Sequence, residues 1–276
     1  MSPLEIGVCT WSLKAPDIPT ALSTIKNDLG LGLIQLGFFD DSILDEANDD
    51  AILAAVDDSG LEVSATCLGF AGEDYSTIDA IARTGGYVPD EVFDHRYKLT
   101  VRAADITRKL GVTLFTVHVG FVPEEKGAAY DTVVDRLKRI AAMLGERDIT
   151  LTMESGQERP EDLIEFMAAV GASNVKINFD PANLILYGVA NPIDALEILR
   201  DSIGHVHMKD ARWSETPKAS WGEEVVLGTG DADIPRIVSK LRAGGYGGPL
   251  VIEREAGDSR AADIREGIDL LRSLLP

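Results

Sequence analysis

The chain has 276 residues, 45% apolar and 26% charged, enough side-chain volume for a substantial core and no compositional case for disorder. Its net charge of −20 sets up a field that repels phosphate backbones and anionic lipid, so neither nucleic acid nor a membrane surface is an expected partner. Cys9 and Cys67 each lie in an apolar, strand-like run and read as small buried hydrophobes. The start of the chain lacks the pattern of a signal peptide, and no run approaches the roughly 18 apolar residues of a membrane span, which leads to the expectation of a cytoplasmic protein.

Short β-branched and apolar runs alternate with amphipathic stretches of 3.6-residue period along the whole chain. Strands are predicted at 5–12, 33–38, 62–68, 113–119, 150–154, 175–180, 205–209 and 250–253. Helices are predicted at about 18–29, 49–59, 94–110, 130–146, 160–170, 192–202, 233–243 and 261–274. Pro160 sits in a first helical turn, and Gly60, Gly111, Gly171 and Gly244 stand where a glycine would close the preceding helix. Eight β/α units imply a parallel sheet with right-handed crossovers, and eight strands suffice to close it without an edge. The expected fold is an α/β, (β/α)8 TIM barrel in which residues 1–276 form a single domain.

A doubly wound open sheet is the competing architecture. The pairs Gly30/Gly32 and Gly228/Gly230 do not extend into G-x-G-x-x-G after a strand, so no nucleotide cofactor is expected. Two connections are long: 69–92, with Tyr75 and Tyr87, and 210–232, with Trp213 and Trp221. Both follow strands, which places them on the catalytic rim of a barrel as lids, substrate walls, surface decoration or subunit contacts.

Barrel chemistry sits at the C-terminal ends of strands, and here those ends are acidic. The fifth strand runs into Glu154, the sixth into Asp180 and the eighth into Glu253, while the seventh contains His205 and His207 and the fourth carries His118. Carboxylates brought together inside apolar strands repel one another unless a cation neutralises them. A divalent metal does so; a salt-bridge cluster with Lys176, Lys209, Arg212 or Arg254 is the structural alternative. Three carboxylates and one imidazole form a hard, oxygen-rich set suited first to Mn²⁺, with Mg²⁺, Co²⁺ and Zn²⁺ also compatible. His207 lies nearer the rim than His205 and is the preferred ligand, leaving His205 as a buried, hydrogen-bonded histidine below it.

The segments Met-Glu154-Ser-Gly-Gln, Asn-Phe-Asp180-Pro-Ala-Asn183, His205-Val-His207-Met-Lys-Asp, Gly228-Thr-Gly-Asp-Ala-Asp and Gly-Tyr-Gly-Gly-Pro-Leu-Val-Ile-Glu253-Arg-Glu resemble the sugar phosphate isomerase/epimerase family, the xylose isomerase-like TIM barrels. The resemblance spans essentially the whole chain and is specific in its C-terminal half. It implies that Glu154, Asp180, His207 and Glu253 bind one divalent cation. Many members have a histidine three residues after the strand-six aspartate, where this chain has Asn183. Members related to endonuclease IV use more histidines and a basic surface to hold DNA; four histidines and a charge of −20 argue against that branch.

A cation bound to adjacent carbonyl and hydroxyl oxygens of a sugar acidifies the α-proton and stabilises an enediolate, and Glu154 and Glu253, from different strands, are the expected acid/base pair. The expected activity is isomerisation or epimerisation of a sugar or keto-sugar (a ketose, a keto-inositol or their phosphates). A keto-sugar lyase, dehydratase or hydrolase using the same metal and glutamates is the alternative, and a non-catalytic binding barrel a third reading. His118, Lys209, Arg212, Trp11 and Asn183 are the candidate substrate contacts, although Lys209 beside Asp210 also reads as simple charge neutralisation. The sequence leaves self-association into a homo-oligomer open.

Overall fold

In the computed structural model, which describes residues 4–275, eight parallel strands close on themselves. They are β1 (Ile6–Cys9), β2 (Leu33–Phe38), β3 (Glu62–Leu68), β4 (Leu114–Val117), β5 (Thr150–Glu154), β6 (Val175–Phe179), β7 (Ile203–Met208) and β10 (Leu250–Ile252). Neighbours pair in chain order, and β10 lies between β7 and β1 to complete a TIM barrel. The outer belt comprises α1 (Ile18–Asn27), α2 (Asp49–Ser59), α4 (Asp90–Lys109), α5 (Ala128–Gly145), α6 (Pro160–Val170), α8 (Pro192–Leu199), α9 (Ile234–Ala243) and α10 (Arg260–Leu274). Among the described residues, no helix is long and apolar enough to cross a membrane.

The period of two along each strand divides the barrel. Ile34, Leu36 and Phe38, Phe115, Leu151 and Met153, and Ile177 and Phe179 belong to the core shared with the helices. Each such side chain contributes about 1.5–3 kcal/mol through burial. The alternate residues point inward. Cys9, Leu33 and Val251 form a small separate apolar cluster with Trp11 packed on it, while Gln35, Thr116, Thr152, Asn178, His205 and His207 bring polar groups into the interior, all fully buried.

The structure adds elements to the expected pattern and trims its strands. Strand β1 stops at Cys9, and Thr10–Leu13 form a 3₁₀ turn closed by Lys14 in the left-handed region. The Thr10 side chain accepts the amide of Gly37 on β2, which diverts the chain from the ladder. The long 69–92 connection contains α3 (Ile78–Thr84) and the start of α4. The 210–232 connection holds an antiparallel hairpin, β8 (Asp210–Arg212) and β9 (Glu223–Val225). A short helix, α7 (Pro181–Leu186), follows β6 directly. Gly60, Gly111 and Gly171 have the positive φ of helix-closing glycines, but after α9 that role falls to Gly245 (φ +80°), one residue beyond Gly244.

Candidate metal centre and cleft

Glu154 is the last residue of β5, Asp180 and Glu253 directly follow β6 and β10, and His207 is the fifth residue of β7. Because inward-facing positions on neighbouring strands converge, all four are buried and each offers a ligand atom within 4.8 Å of the others. His207 Nδ1 lies 3.1 Å from Glu154 Oε1, 3.5 Å from Glu253 Oε2 and 3.8 Å from Asp180 Oδ2. Burial opposes charge on His207, but Glu253 and Glu154 outweigh it and push its pKa well upward. Burial likewise opposes charge on Glu253, where Lys209 and then His207 prevail and hold the carboxyl well below its usual range. Asp180 goes the other way, raised by burial against the pull of Lys209.

Asp180 shows how local chemistry builds the centre. With Pro181 in the first turn of α7, Asp180 is the N-cap, and its Oδ1 accepts the amides of Ala182 (2.8 Å) and Asn183 (3.0 Å). Its Oδ2 is buried with no hydrogen-bond partner. An orphaned carboxylate oxygen facing two more carboxylates and an imidazole nitrogen fits a divalent cation.

The other ring nitrogen of His207 is fixed from below. Thr152 Oγ1 donates to Phe115 O (3.2 Å) and meets Thr116 Oγ1 at 2.7 Å, leaving Thr116 to accept from Gln35 Nε2 at 2.9 Å. That chain turns Gln35 Oε1 toward His207 Nε2, 2.6 Å away. In the neutral ring that a metal ligand requires, Gln35 Oε1 holds the proton on Nε2 and leaves the Nδ1 lone pair facing the carboxylates. His205, lower in the barrel, meets Asn178 Oδ1 at 2.8 Å and Ser64 Oγ at 3.2 Å, and burial depresses its pKa well below normal.

Above the centre opens a cleft of about 450 Å³. Trp11, His118, Asn183 and Lys209 all line it. Trp11 projects from the 3₁₀ turn after β1 and donates from Nε1 to Glu253 Oε1 at 2.9 Å. His118, just past β4, has Nε2 3.5 Å from Glu154 Oε2 and Nδ1 3.3 Å from the Gln157 amide. Asn183 donates to Glu154 Oε1 at 3.0 Å. A Cβ at Gly156, whose φ is +146°, would lie 2.4 Å from the Asn183 Cβ, so the glycine permits that approach. Lys209 Nζ donates to Glu253 Oε2 and Glu255 Oε2, each at 2.7 Å.

The pairing of Lys209 with Asp210 is not found. Asp210 is instead occupied by the amides of Ala211, Gly228, Gly230 and Ala232. Arg212 lies outside the cleft, exposed and bonded to Thr229 O. Of the four cations proposed for a salt-bridge cluster, Lys209 alone reaches the carboxylates: Lys176 turns to Asp201 O and Arg254 to Glu224 and Asp263. Both long connections contribute walls, through Phe70, Glu73 and Tyr75 from one and Trp221 and Glu224 from the other. Tyr87 is instead a core residue bonded to Thr100, and Trp213 is exposed.

Sequence reasoning missed Gln35, Gln157, Glu255 and Arg260. Gln35 had a usable signal, a lone amide inside the strand Leu-Ile-Gln-Leu-Gly-Phe, and Glu255 stands one alternation beyond Glu253. Arg260 had none, because an arginine opening a helix is ordinary.

The family model described as xylose isomerase-like TIM barrel matches residues 26–274. The chain belongs to the xylose isomerase-like TIM barrel family. A xylose isomerase domain protein from Planctomyces limnophilus is 32% identical, with a TM-score of 0.91 and coverage of 99% of this chain and 97% of that one. The same fold is seen in 3-keto-D-glucoside 4-epimerase from E. coli (19% identity, TM-score 0.73, coverage 98% and 99%). It recurs in the probable 3-DHS dehydratase from Bacillus anthracis (16% identity, TM-score 0.71, coverage 98% and 99%). No curated protein matches the chain.

Proposed function

We propose that this member of the family is a divalent-cation-dependent epimerase or isomerase of a keto-sugar, with Glu154, Asp180, His207 and Glu253 holding the cation. The observation that carries this reading is the buried, unpartnered Asp180 Oδ2, grouped with Glu154 and Glu253, which line the cleft. A cation such as Mn²⁺, when bound, supplies Lewis-acid polarisation of a substrate carbonyl.

The chain's own residues do the rest. Glu154 and Glu253 come from strands separated by β6 and β7, so they approach a substrate carbon from different sides. One carboxylate removes the proton α to the carbonyl and the other side returns one. Lys209 and Trp11 fix the Glu253 carboxylate, and Asn183 and His118 fix that of Glu154. The cleft's aromatic walls, Trp11, Phe39 and Tyr187, exclude water and present faces for a sugar ring. Glycoside and dehydratase names among proteins of this fold support a small oxygenated substrate; the choice between epimerisation and elimination rests on product analysis.

The test is exchange in D₂O with the Mn²⁺-loaded protein and a panel of D-fructose, D-tagatose, D-ribulose and a 3-keto-glucoside. Deuterium should enter the α-carbon, and Glu154→Gln and Glu253→Gln should each slow exchange by about 10²–10⁴-fold with the fold intact. A product lighter by water or an alcohol would identify a lyase. Turnover with full retention of the original hydrogen would instead leave the two glutamates as ligands only.

A further inference from the structure

Among the described residues, four buried side-chain atoms have no hydrogen-bond partner: Asp180 Oδ2, Asn178 Nδ2, Trp221 Nε1 and Arg260 Nε. The first is an acceptor and belongs to the metal centre. The second belongs to a residue in the barrel interior. The last two belong to residues lining the cleft, and both are N–H groups that can only donate. Each of these two donors therefore calls for an acceptor that the side chains around it do not supply.

Arg260 differs from Trp221 in carrying charge. Among the described residues it makes no hydrogen bond or ion pair, and its side chain is partly buried. Burial weakens its hold on its proton, against the support of Glu255 and Glu224. The acids around it are already committed. Glu224 Oε1 accepts from Arg254 Nη1 at 2.8 Å and from the Glu255 amide at 2.9 Å. Glu255 and Glu253 share Lys209, and Glu73 accepts the amides of Gly86 and Phe70. Of the two Lys and Arg side chains lining the cleft, Lys209 is doubly paired and Arg260 is not.

An unpaired, partly desolvated guanidinium is costly, and a sugar hydroxyl returns only part of that cost. A carboxylate or phosphate matches both its charge and its planar fork of donors. We propose that the substrate is an acidic keto-sugar whose carboxylate or phosphate group is bound by Arg260, with Trp221 Nε1 donating to a second substrate oxygen. This rests on the keto-sugar reading above and narrows it. Arg260 is then a specificity determinant that takes no proton from the reacting carbon.

The test is calorimetric titration of the Mn²⁺-loaded protein with D-fructose, D-fructose 6-phosphate and 5-keto-D-gluconate. At least one acidic ligand should bind about 10- to 100-fold tighter than D-fructose, and the stronger of the two identifies phosphate or carboxylate as the source. Arg260→Gln should remove most of that advantage, and Arg260→Lys should restore part of it, with circular dichroism and Mn²⁺ affinity unchanged in both. Acidic ligands binding no better than D-fructose, an advantage that survives Arg260→Gln, or equal loss for acidic and neutral sugars would each overturn the proposal. So would the absence of binding by all three while Mn²⁺ is held. Failure of the underlying reading shows separately, as wild-type protein that binds no Mn²⁺ before any sugar is added.

Discussion

The ends of β6 and β7 each deliver a buried aspartate to the same rim, and the two do opposite things. Asp210, just past β7, has both oxygens filled by four backbone amides of its own loop and of the segment before α9. It closes the 210–232 excursion as a clasp. Asp180, just past β6, fills one oxygen with the two amides of a helix cap and leaves the other bare. Burial and residue type are alike; hydrogen-bond accounting alone separates a carboxylate whose two oxygens are both satisfied from one with an oxygen that no donor reaches.

The contrast is broken most forcefully by exchanging each aspartate for asparagine. Asp180→Asn keeps the cap oxygen and should leave the melting temperature of the metal-free protein within about 2 °C. It should weaken Mn²⁺ binding by more than the roughly 10–100-fold that loss of an outer partner costs, and activity should fall with it. Asp210→Asn sets an NH₂ group against two amide donors and should cost about 3 kcal/mol, or roughly 5–10 °C in melting temperature, while Mn²⁺ affinity changes little. Calorimetry and thermal melts on the two variants check this together. Matching losses of affinity and stability in both would erase the distinction.

A subtler variant sharpens the comparison by acting on His207 from beneath. Gln35→Met preserves volume but removes the acceptor that keeps the proton on Nε2, so Nδ1 loses its fixed role as a lone-pair donor. Mn²⁺ affinity should drop about 10- to 100-fold, and Gln35→Glu, which retains an acceptor, should recover much of it. Unchanged affinity in Gln35→Met would show that the three carboxylates orient the imidazole unaided.

These residues also mark how far the sequence could be read. The barrel was legible because alternation between periods of two and 3.6 survives along the whole chain, and the convergence of Glu154, Asp180, His207 and Glu253 was legible because a carboxylate ending an apolar strand is costly enough to need a reason. The short elements were not: α3 and α7 have too few residues to show a period, and β8 and β9 are three-residue strands. Trp11 reads as part of a strand because Thr10 continues the apolar alternation; its side-chain bond to Gly37 turns the chain instead. Gln35 was passed over because one amide in a buried strand carries little weight until its partners on β4 and β5 are known. The state of Arg260 depends on which acids elsewhere are already paired, a property of the assembled rim that no local window contains.

The smallest effect concerns Arg212, which sequence position alone places beside the candidate metal centre. It is the last residue of β8, in the hairpin that pairs with β9, and it does not line the cleft. Its guanidinium donates to Thr229 O at 3.2 Å and is exposed to solvent, so removing it uncovers no buried charge and leaves Asp210 with all four amide donors. A surface substitution of this kind stays within about 0.5 kcal/mol. Arg212→Ala should therefore change stability, Mn²⁺ affinity and kcat/KM on any substrate found by the exchange assay by no more than about twofold, since 0.5 kcal/mol corresponds to little more than that. A large rise in KM at unchanged stability would mean that the hairpin folds over the bound sugar and brings Arg212 to it. The rim would then have a moving wall at 210–232, and the clasp at Asp210 would be its hinge.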